Sequence, residues 1–217
     1  MPQIWFIRHG ESISNANLPT THPAQSELTA VGEQESRLIA NAFTQKPDLI
    51  VASSMVRAQQ TAAPTIARFY PIAQEEWAVH EFTYLAPDRY AGTTLDDRRP
   101  FTREYWERND PFYKDGDVGE SFAELMGRVA DTIARGHRYA ASFIVVFSHG
   151  LFLGALFWSL LTGITEATPE TMRQYSFFVR SVKFPNASIL KTTFDGNGRV
   201  HFTAGFDTTH LLGNGKQ

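Results

Sequence analysis

The sequence predicts an α/β fold, a three-layer α/β/α arrangement with a mostly parallel central sheet and an antiparallel hairpin toward the C-terminal end. Two observations predict it. Short apolar runs alternate with helically periodic segments, and the runs stop abruptly at charged or glycine-containing junctions, as buried strands of a parallel sheet do. Two further β-rich stretches, Ala187 to Phe194 and Val200 to Phe206, flank Asp195-Gly196-Asn197-Gly198, the composition of a hairpin turn.

The elements follow in order. Ile4 to Ile7 reads as the first strand and ends at Arg8-His9-Gly10. Thr29 is a helix N-cap, after which Leu38, Ile39, Ala42 and Phe43 share one face. Leu49 to Ala52 is a second strand, followed by a helix from about Met55 to Phe69 in which Pro64 can kink the axis. Trp77 to His80 reads as a third strand. The stretch from Glu81 to Gly119 is dense in charge, proline and aromatics and lacks a clear period, and residues 82–119 are expected to form an insertion covering the sheet edge above a substrate pocket. Glu120 opens a helix with Phe122, Leu125, Met126, Val129 and Ile133 in phase, and Phe143 to Phe147 is the next buried strand, ending at Ser148-His149-Gly150 before another helix.

Composition narrows the chemistry. The chain has 217 residues, 42% hydrophobic, with 20 basic against 23 acidic side chains. That length suits one domain over residues 1–217. The near-neutral balance offers no footprint for nucleic acid. The N-terminus has no basic region ahead of an apolar run, and Gly150 to Leu161 is too short to cross a bilayer, so a cytoplasmic protein without membrane association is expected. With no cysteine, any covalent catalysis must use another side chain than a thiol.

Arg8-His9-Gly10-Glu11, Ser53-Ser54-Met55-Val56-Arg57 and Ser148-His149-Gly150 each follow a predicted strand, where an open parallel sheet forms its ligand crevice. Each alone fits a solvated rim, a surface ion pair or a capping histidine. Together they offer two guanidinium forks, two imidazoles and the N-termini of helices, a set suited to a phosphate dianion.

These motifs resemble the histidine phosphatase superfamily, the phosphoglycerate mutase-like proteins. The likeness includes Asn15 six residues after His9, Leu28-Thr29-Ala30-Val31-Gly32 against Leu-Thr-x-x-Gly, and Ser53 to Ala62 against Ser-Ser-x-x-Arg-Ala-x-Gln-Thr-Ala. It implies a phosphoglycerate mutase-like fold. It also implies that His9 is the nucleophile, forming a phosphohistidine, while Arg8, Arg57 and His149 hold the phosphoryl oxygens, Asn15 adds a hydrogen bond and Gly150 lets the phosphate approach. The leaving group's proton would come from Glu81, with Glu120 as a second candidate. Glu11 and Ser12 belong to the signature without an assigned chemistry, Glu11 either orienting Arg8 or fixing the loop.

No cofactor is expected and no metal, since the histidines at 22, 80, 137, 201 and 210 show no ligand spacing with carboxylates. Three functions stay open: a metal-independent phosphomonoesterase, a phosphoglycerate mutase, and a binding module for phosphorylated ligands. Asp96-Asp97-Arg98-Arg99-Pro100-Phe101 shares only an Arg-Arg pair with the mutase insertion, whereas Gly119-Glu120-Ser121 resembles the phosphatase branch, which favours the esterase. The partner is expected to be a small phosphate ester, with Arg98 or Arg99 meeting a second anionic group. Alternatively, the aromatics of 82–119 simply pack the insertion down while its arginines face solvent. The hairpin edge could pair between subunits or be covered within one, so the oligomeric state stays open.

Overall fold

Strands β1 (Gln3–Arg8) and β4 (Phe143–Ser148) form the middle of the sheet because almost nothing in them tolerates water: Ile4, Phe6 and Ile7 are fully buried, as are Ile144 to Phe147. The computed structural model describes residues 1–139 and 143–212. β1 runs parallel to β4, and β4 parallel to β2 (Leu49–Ala52). β2 carries the parallel edge strand β3 (Ala73–Glu76). On the other side, β1 pairs antiparallel with β5 (Ile189–Phe194), which turns back into β6 (Val200–Phe202), giving the order β3-β2-β4-β1-β5-β6.

Alternation along the strands divides the core in two. Ile4, Phe6, Val51, Ile144 and Val146 face one layer of helices, α4 (Phe122–Arg138), α5 (Gly150–Thr162) and α6 (Pro169–Ser181). Ile7, Ile50, Val145 and Phe147 face the other, α1 (Ala30–Ala42) and α2 (Val56–Phe69). The expected three layers, mostly parallel sheet and terminal hairpin are all present. The hairpin turn is held by Asp195, whose Oδ1 accepts from the backbone of Asn197 and Arg199, with Gly198 at φ +78°. Among the described residues no helix is long and apolar enough to cross a membrane.

Four elements differ from expectation. The third strand is Ala73–Glu76, not Trp77 to His80. Its residues are exposed and need only backbone bonds to β2, whereas Trp77 and Val79 leave the sheet and plunge into the core, so their apolarity marks a buried connection. The stretch 82–119 contains a short 3-10 helix, Pro87–Tyr90, and a full helix α3 (Leu95–Arg108) that buries only Arg98 and Tyr105, too little for an apolar period. Its start is nevertheless written in the sequence, as a capping box between Thr94 and Asp97. Glu120 does not open α4; Ser121 caps that helix in a box with Glu124, leaving Glu120 outside it. Helix α6, which the periodicity did not single out, starts at the cap Thr168 with Pro169 in its first turn.

Most aromatics of 82–119 pack this segment down, while Phe101 and Phe112 stay exposed. Phe82, Tyr84 and Tyr105 enter the core, with Trp106 against them at ring separations of 5.5 to 6.1 Å. Its arginines do not all face solvent. Arg89 pairs with Asp115 at 2.5 Å, and Arg98 is 2% exposed.

Two motif glycines interlock the start of α1 with the loop after β1. A Cβ on Gly10 would lie 2.6 Å from the Gly32 carbonyl oxygen, and one on Gly32 would lie 2.0 Å from that of Glu11. Both glycines are therefore needed for a close backbone approach. Helix propensity alone predicts that Gly32→Ala stabilises α1 by about 1 kcal/mol. The clash with main chain outweighs this, since overpacking costs about 1–3 kcal/mol and here there is no flexible side chain to yield. Gly32→Ala is expected to lower Tm by roughly 2–4 °C for each kcal/mol of net loss, read by calorimetry; an increase would show that the contact relaxes freely.

Candidate active site

The junctions after β2, β4 and β1 lie side by side because those strands are neighbours in the sheet. The ladder continues past the strand ends: the His9 amide donates to the Ser148 carbonyl at 2.9 Å, and the Ser53 amide to that of Phe147 at 3.1 Å. This brings His9, Ser53 and His149 to one level above the sheet.

His9 is buried, 1% exposed, and its tautomer follows from its partners. The Gly10 carbonyl can only accept, so Nδ1, 2.7 Å away, carries the proton. Nε2 is then the lone-pair nitrogen, and Arg57 Nε donates to it at 3.1 Å. Burial, with Arg57 and Arg8 nearby, holds the imidazole pKa well below its ordinary value, keeping the ring neutral. The result is a neutral imidazole whose free nitrogen faces a guanidinium.

Arg57 sits in the first turn of α2, where a second donor, Nη1, bonds the Pro23 carbonyl at 2.6 Å. Thr61, one turn on, donates to the Arg57 carbonyl at 2.6 Å and accepts from the Gly10 amide at 3.1 Å, tying α2 to the His9 loop. Gln60 accepts from the Leu28 amide at 2.8 Å. Glu11 fixes the loop: its Oε1 accepts from the Thr29 hydroxyl at 2.6 Å, while its amide donates to Glu35.

His149 is fully buried with its ring centroid 5.0 Å from that of His9. Its Nε2 lies 2.8 Å from Ser53 Oγ, while Nδ1 is buried without a hydrogen-bond partner among the described residues. Burial, followed by Arg57 and His9, pushes its pKa well down. Arg8 donates from Nη1 to the Phe184 carbonyl, and its Nε is likewise buried and unpartnered. Burial also lowers the pKa of Arg8 and Arg57, opposed in each case by Glu81.

Glu81 faces this group from the connection after β3. One oxygen, Oε1, accepts from the amides of Leu151, Phe152 and Phe82 at 3.0, 3.3 and 3.0 Å. Two of these amides belong to the first turn of α5, a natural seat for a carboxylate. The Glu81 segment is clamped from behind by an ion pair between Arg128 and Glu120 at 2.7 Å. Arg128 Nη1 bonds the carbonyls of Ala78 and His80 at 2.7 and 3.0 Å, and Glu120 exchanges bonds with the Thr83 backbone. Burial raises the Glu120 pKa and Arg128 opposes this.

A cavity of about 150 Å³ opens onto this group. His9, Asn15, Arg57 and Glu81 line it; Arg8, His149, Gly150 and Glu120 are not in the lining. Gly150 makes room for Arg8: a Cβ there would lie 3.2 Å from Arg8 Nε. The Asn15 carbonyl oxygen accepts from Ser12 Oγ and Asn186 Nδ2 at 3.0 and 3.3 Å.

Arg98 also lines the cavity, stacked 4.5 Å from the Tyr90 ring and bonded to the carbonyl and hydroxyl of Thr93 and the hydroxyl of Thr20. Exposed Arg99 pairs instead with Asp96 at 2.8 Å. Ser53, Thr61 and Asn186 were not assigned roles from the sequence. Ser53 and Thr61 could have been found from their place in the Arg57 motif; Asn186 lacks any local signal. Among the described residues, no three His, Asp or Glu side chains converge on a point that would hold a metal ion.

Comparisons with known proteins agree with this architecture. A family model described as the histidine phosphatase superfamily, branch 1, matches residues 4–202. A Yersinia enterocolitica protein named as a probable phosphoglycerate mutase is 26% identical over 226 residues, covering 97% of this chain and 95% of that protein. A variant of phosphoserine phosphatase from Entamoeba histolytica, solved with phosphoserine, superposes with a TM-score of 0.74 over 98% of this chain and 100% of the other, at 22% identity. The alpha-ribazole phosphatase of Shigella flexneri gives 0.72 over 94% and 96%, at 20% identity. At these identities the structural likeness is one of fold.

The buried histidines give stability a pH dependence. His9, His149 and His80, the last with its pKa lowered to about 4 by burial and Arg128, stay neutral in the fold while the unfolded chain protonates them near pH 6.5. The unfolded state therefore binds more protons below pH 6.5, and stability falls as pH drops from about 6.5 toward 4. Tm is expected to decline between pH 7 and pH 5, with a shallower decline in His80→Gln; equal slopes would contradict a neutral His80.

Proposed function

The chain belongs to the histidine phosphatase superfamily, branch 1, and on that footing we propose that it is a metal-independent phosphomonoester hydrolase working through a phosphohistidine on His9. The observation that carries the reading is the neutral His9 ring, with Nδ1–H on the Gly10 carbonyl and an unprotonated Nε2 that accepts from Arg57, in a residue that lines one cavity with Arg57 and Glu81.

The steps balance without a further reactant. The Nε2 lone pair attacks phosphorus and the P–O bond to the alcohol breaks, with Arg57 turning its Nε–H from Nε2 onto a phosphoryl oxygen. Arg8 and His149, each with an unpartnered buried nitrogen, complete the set of donors, and Asn15 adds a hydrogen bond from its amide. The leaving alkoxide takes a proton from Glu81, carried on Oε2 because Oε1 is occupied by three amides. Water then gives that proton back to Glu81, attacks phosphorus and releases orthophosphate and neutral His9. Glu120 serves as a clamp for the Glu81 segment and takes no part in proton transfer. Residues 82–119 cover the cavity, and the substrate is a small-molecule ester.

A second reading, phosphoryl transfer within a bound phosphoglycerate, is favoured by the relative named as a phosphoglycerate mutase. The two diverge after the phosphohistidine forms: a mutase returns the group to the bound acid, a hydrolase to water.

Acid-labile phosphate is expected on wild type quenched during turnover, and none on His9→Ala, with hydrolysis unaffected by EDTA. Efficient isomerisation of phosphoglycerate with negligible hydrolysis would overturn the hydrolase reading. Glu81→Gln should slow alkyl phosphates by about 10²–10⁴-fold, the usual worth of a general acid, and p-nitrophenyl phosphate far less, because its leaving group needs no proton. Equal losses on both esters would deny Glu81 that role.

A further inference from the structure

The 150 Å³ cavity holds a phosphoryl group and a few atoms beyond it, well below the roughly 300 Å³ at which ordinary small-molecule sites begin. A larger chamber of about 640 Å³ lies against it, between α3 and α6. The two share Tyr84, Thr102 and Leu151 in their walls, so they lie on either side of the same three residues.

We propose that the larger chamber binds the leaving group of the substrate, an elongated, largely apolar or aromatic alcohol that carries an acidic group at its far end. The proposal rests on the hydrolase reading, since it names the ester which that chemistry would cleave. Three observations argue for it. Adjacency comes first: Leu151 lines both spaces and its amide holds Glu81, so the chamber lies next to the acid that would protonate the alcohol. Second, Tyr84, Pro100, Trp106, Leu151 and Val179 give the walls an apolar character that favours hydrocarbon or a ring.

Charge is the third. Arg99, Arg103 and Arg180 face the chamber with one carboxylate, Glu107. Arg99 is committed to Asp96, but Arg103 and Arg180 form no ion pair among the described residues. Arg180 is held along α6 by the Ser176 carbonyl at 2.8 Å, an arrangement that orders its guanidinium without neutralising it. Two cations without an ion pair among the described residues, over an apolar floor, complement an acid at the end of a hydrocarbon chain. A second phosphate group and a carboxylate share this chemistry.

The test uses benzyl phosphates bearing a para alkyl chain that ends in carboxylate, in phosphonate or in neutral carboxamide, over a series of chain lengths. Binding is measured by calorimetry on His9→Ala, and kcat/KM by phosphate release from wild type. At the best length the acidic esters are expected to surpass the carboxamide by about five- to tenfold in both measurements, the worth of one or two solvent-screened charge pairs. In Arg103→Ala/Arg180→Ala the ratio should fall to near one. A ratio near one in wild type at every length, or one untouched by the double substitution, would overturn the chamber assignment. Turnover without the preference leaves the hydrolase reading standing and the chamber refuted; the preference in His9→Ala without turnover by wild type does the reverse.

Discussion

Everything at the mouth of the sheet depends on one buried imidazole held between a carbonyl and a guanidinium. The Gly10 carbonyl keeps the proton on Nδ1 of His9 and Arg57 keeps Nε2 unprotonated, so tautomer and charge are set before any ligand arrives. Such an arrangement survives only if the main chain around it cannot relax. The interlocked Gly10 and Gly32, the Thr61 bridge from α2 and the Glu11–Thr29 bond supply that rigidity from three directions. Each costs some stability locally, in a glycine within a helix or a buried polar bond, and the core on both faces of the sheet offsets it.

The electrostatics follow from the same crowding. Two guanidiniums are buried around a ring that burial keeps neutral, and the nearby Glu81 opposes the loss of their charge. Arg98 joins Arg57 in the cavity lining as a second buried cation, supported by neutral oxygens and an aromatic face. Under the proposed function, a dianion entering this space would relieve the repulsion between the arginines. Glu81 is held by α5 on one side and its segment by the Arg128–Glu120 pair on the other.

Much of this was legible in the sequence because the informative residues lie where regular structure stops. Strands buried on both faces read as continuous apolar runs, and the motifs after β1, β2 and β4 stand at their ends. Other features were hidden for physical reasons. β3 is an edge strand of exposed polar residues, held by backbone bonds that leave no pattern, while the apolar Trp77 and Val79 beside it belong to a buried turn. α3 buries one arginine and one tyrosine, and only its capping box betrays it. The pairing of Glu120 with Arg128, eight residues apart, depends on a turn of chain outside α4 that no periodicity describes. The chamber between α3 and α6 was invisible because its walls come from segments far apart in the chain, Tyr84 and α3 on one side and Leu151 and α6 on the other.

The claim that bears the most weight is the state of His9 before substrate arrives. Nitrogen-15 NMR of labelled protein, with His9→Gln to assign the ring, reads it directly. The account predicts a neutral ring protonated on Nδ1, with Nε2 unprotonated and unchanged from pH 8 down past pH 6. A proton on Nε2, or titration to the imidazolium with a midpoint near the ordinary histidine value of about 6.5, would contradict it.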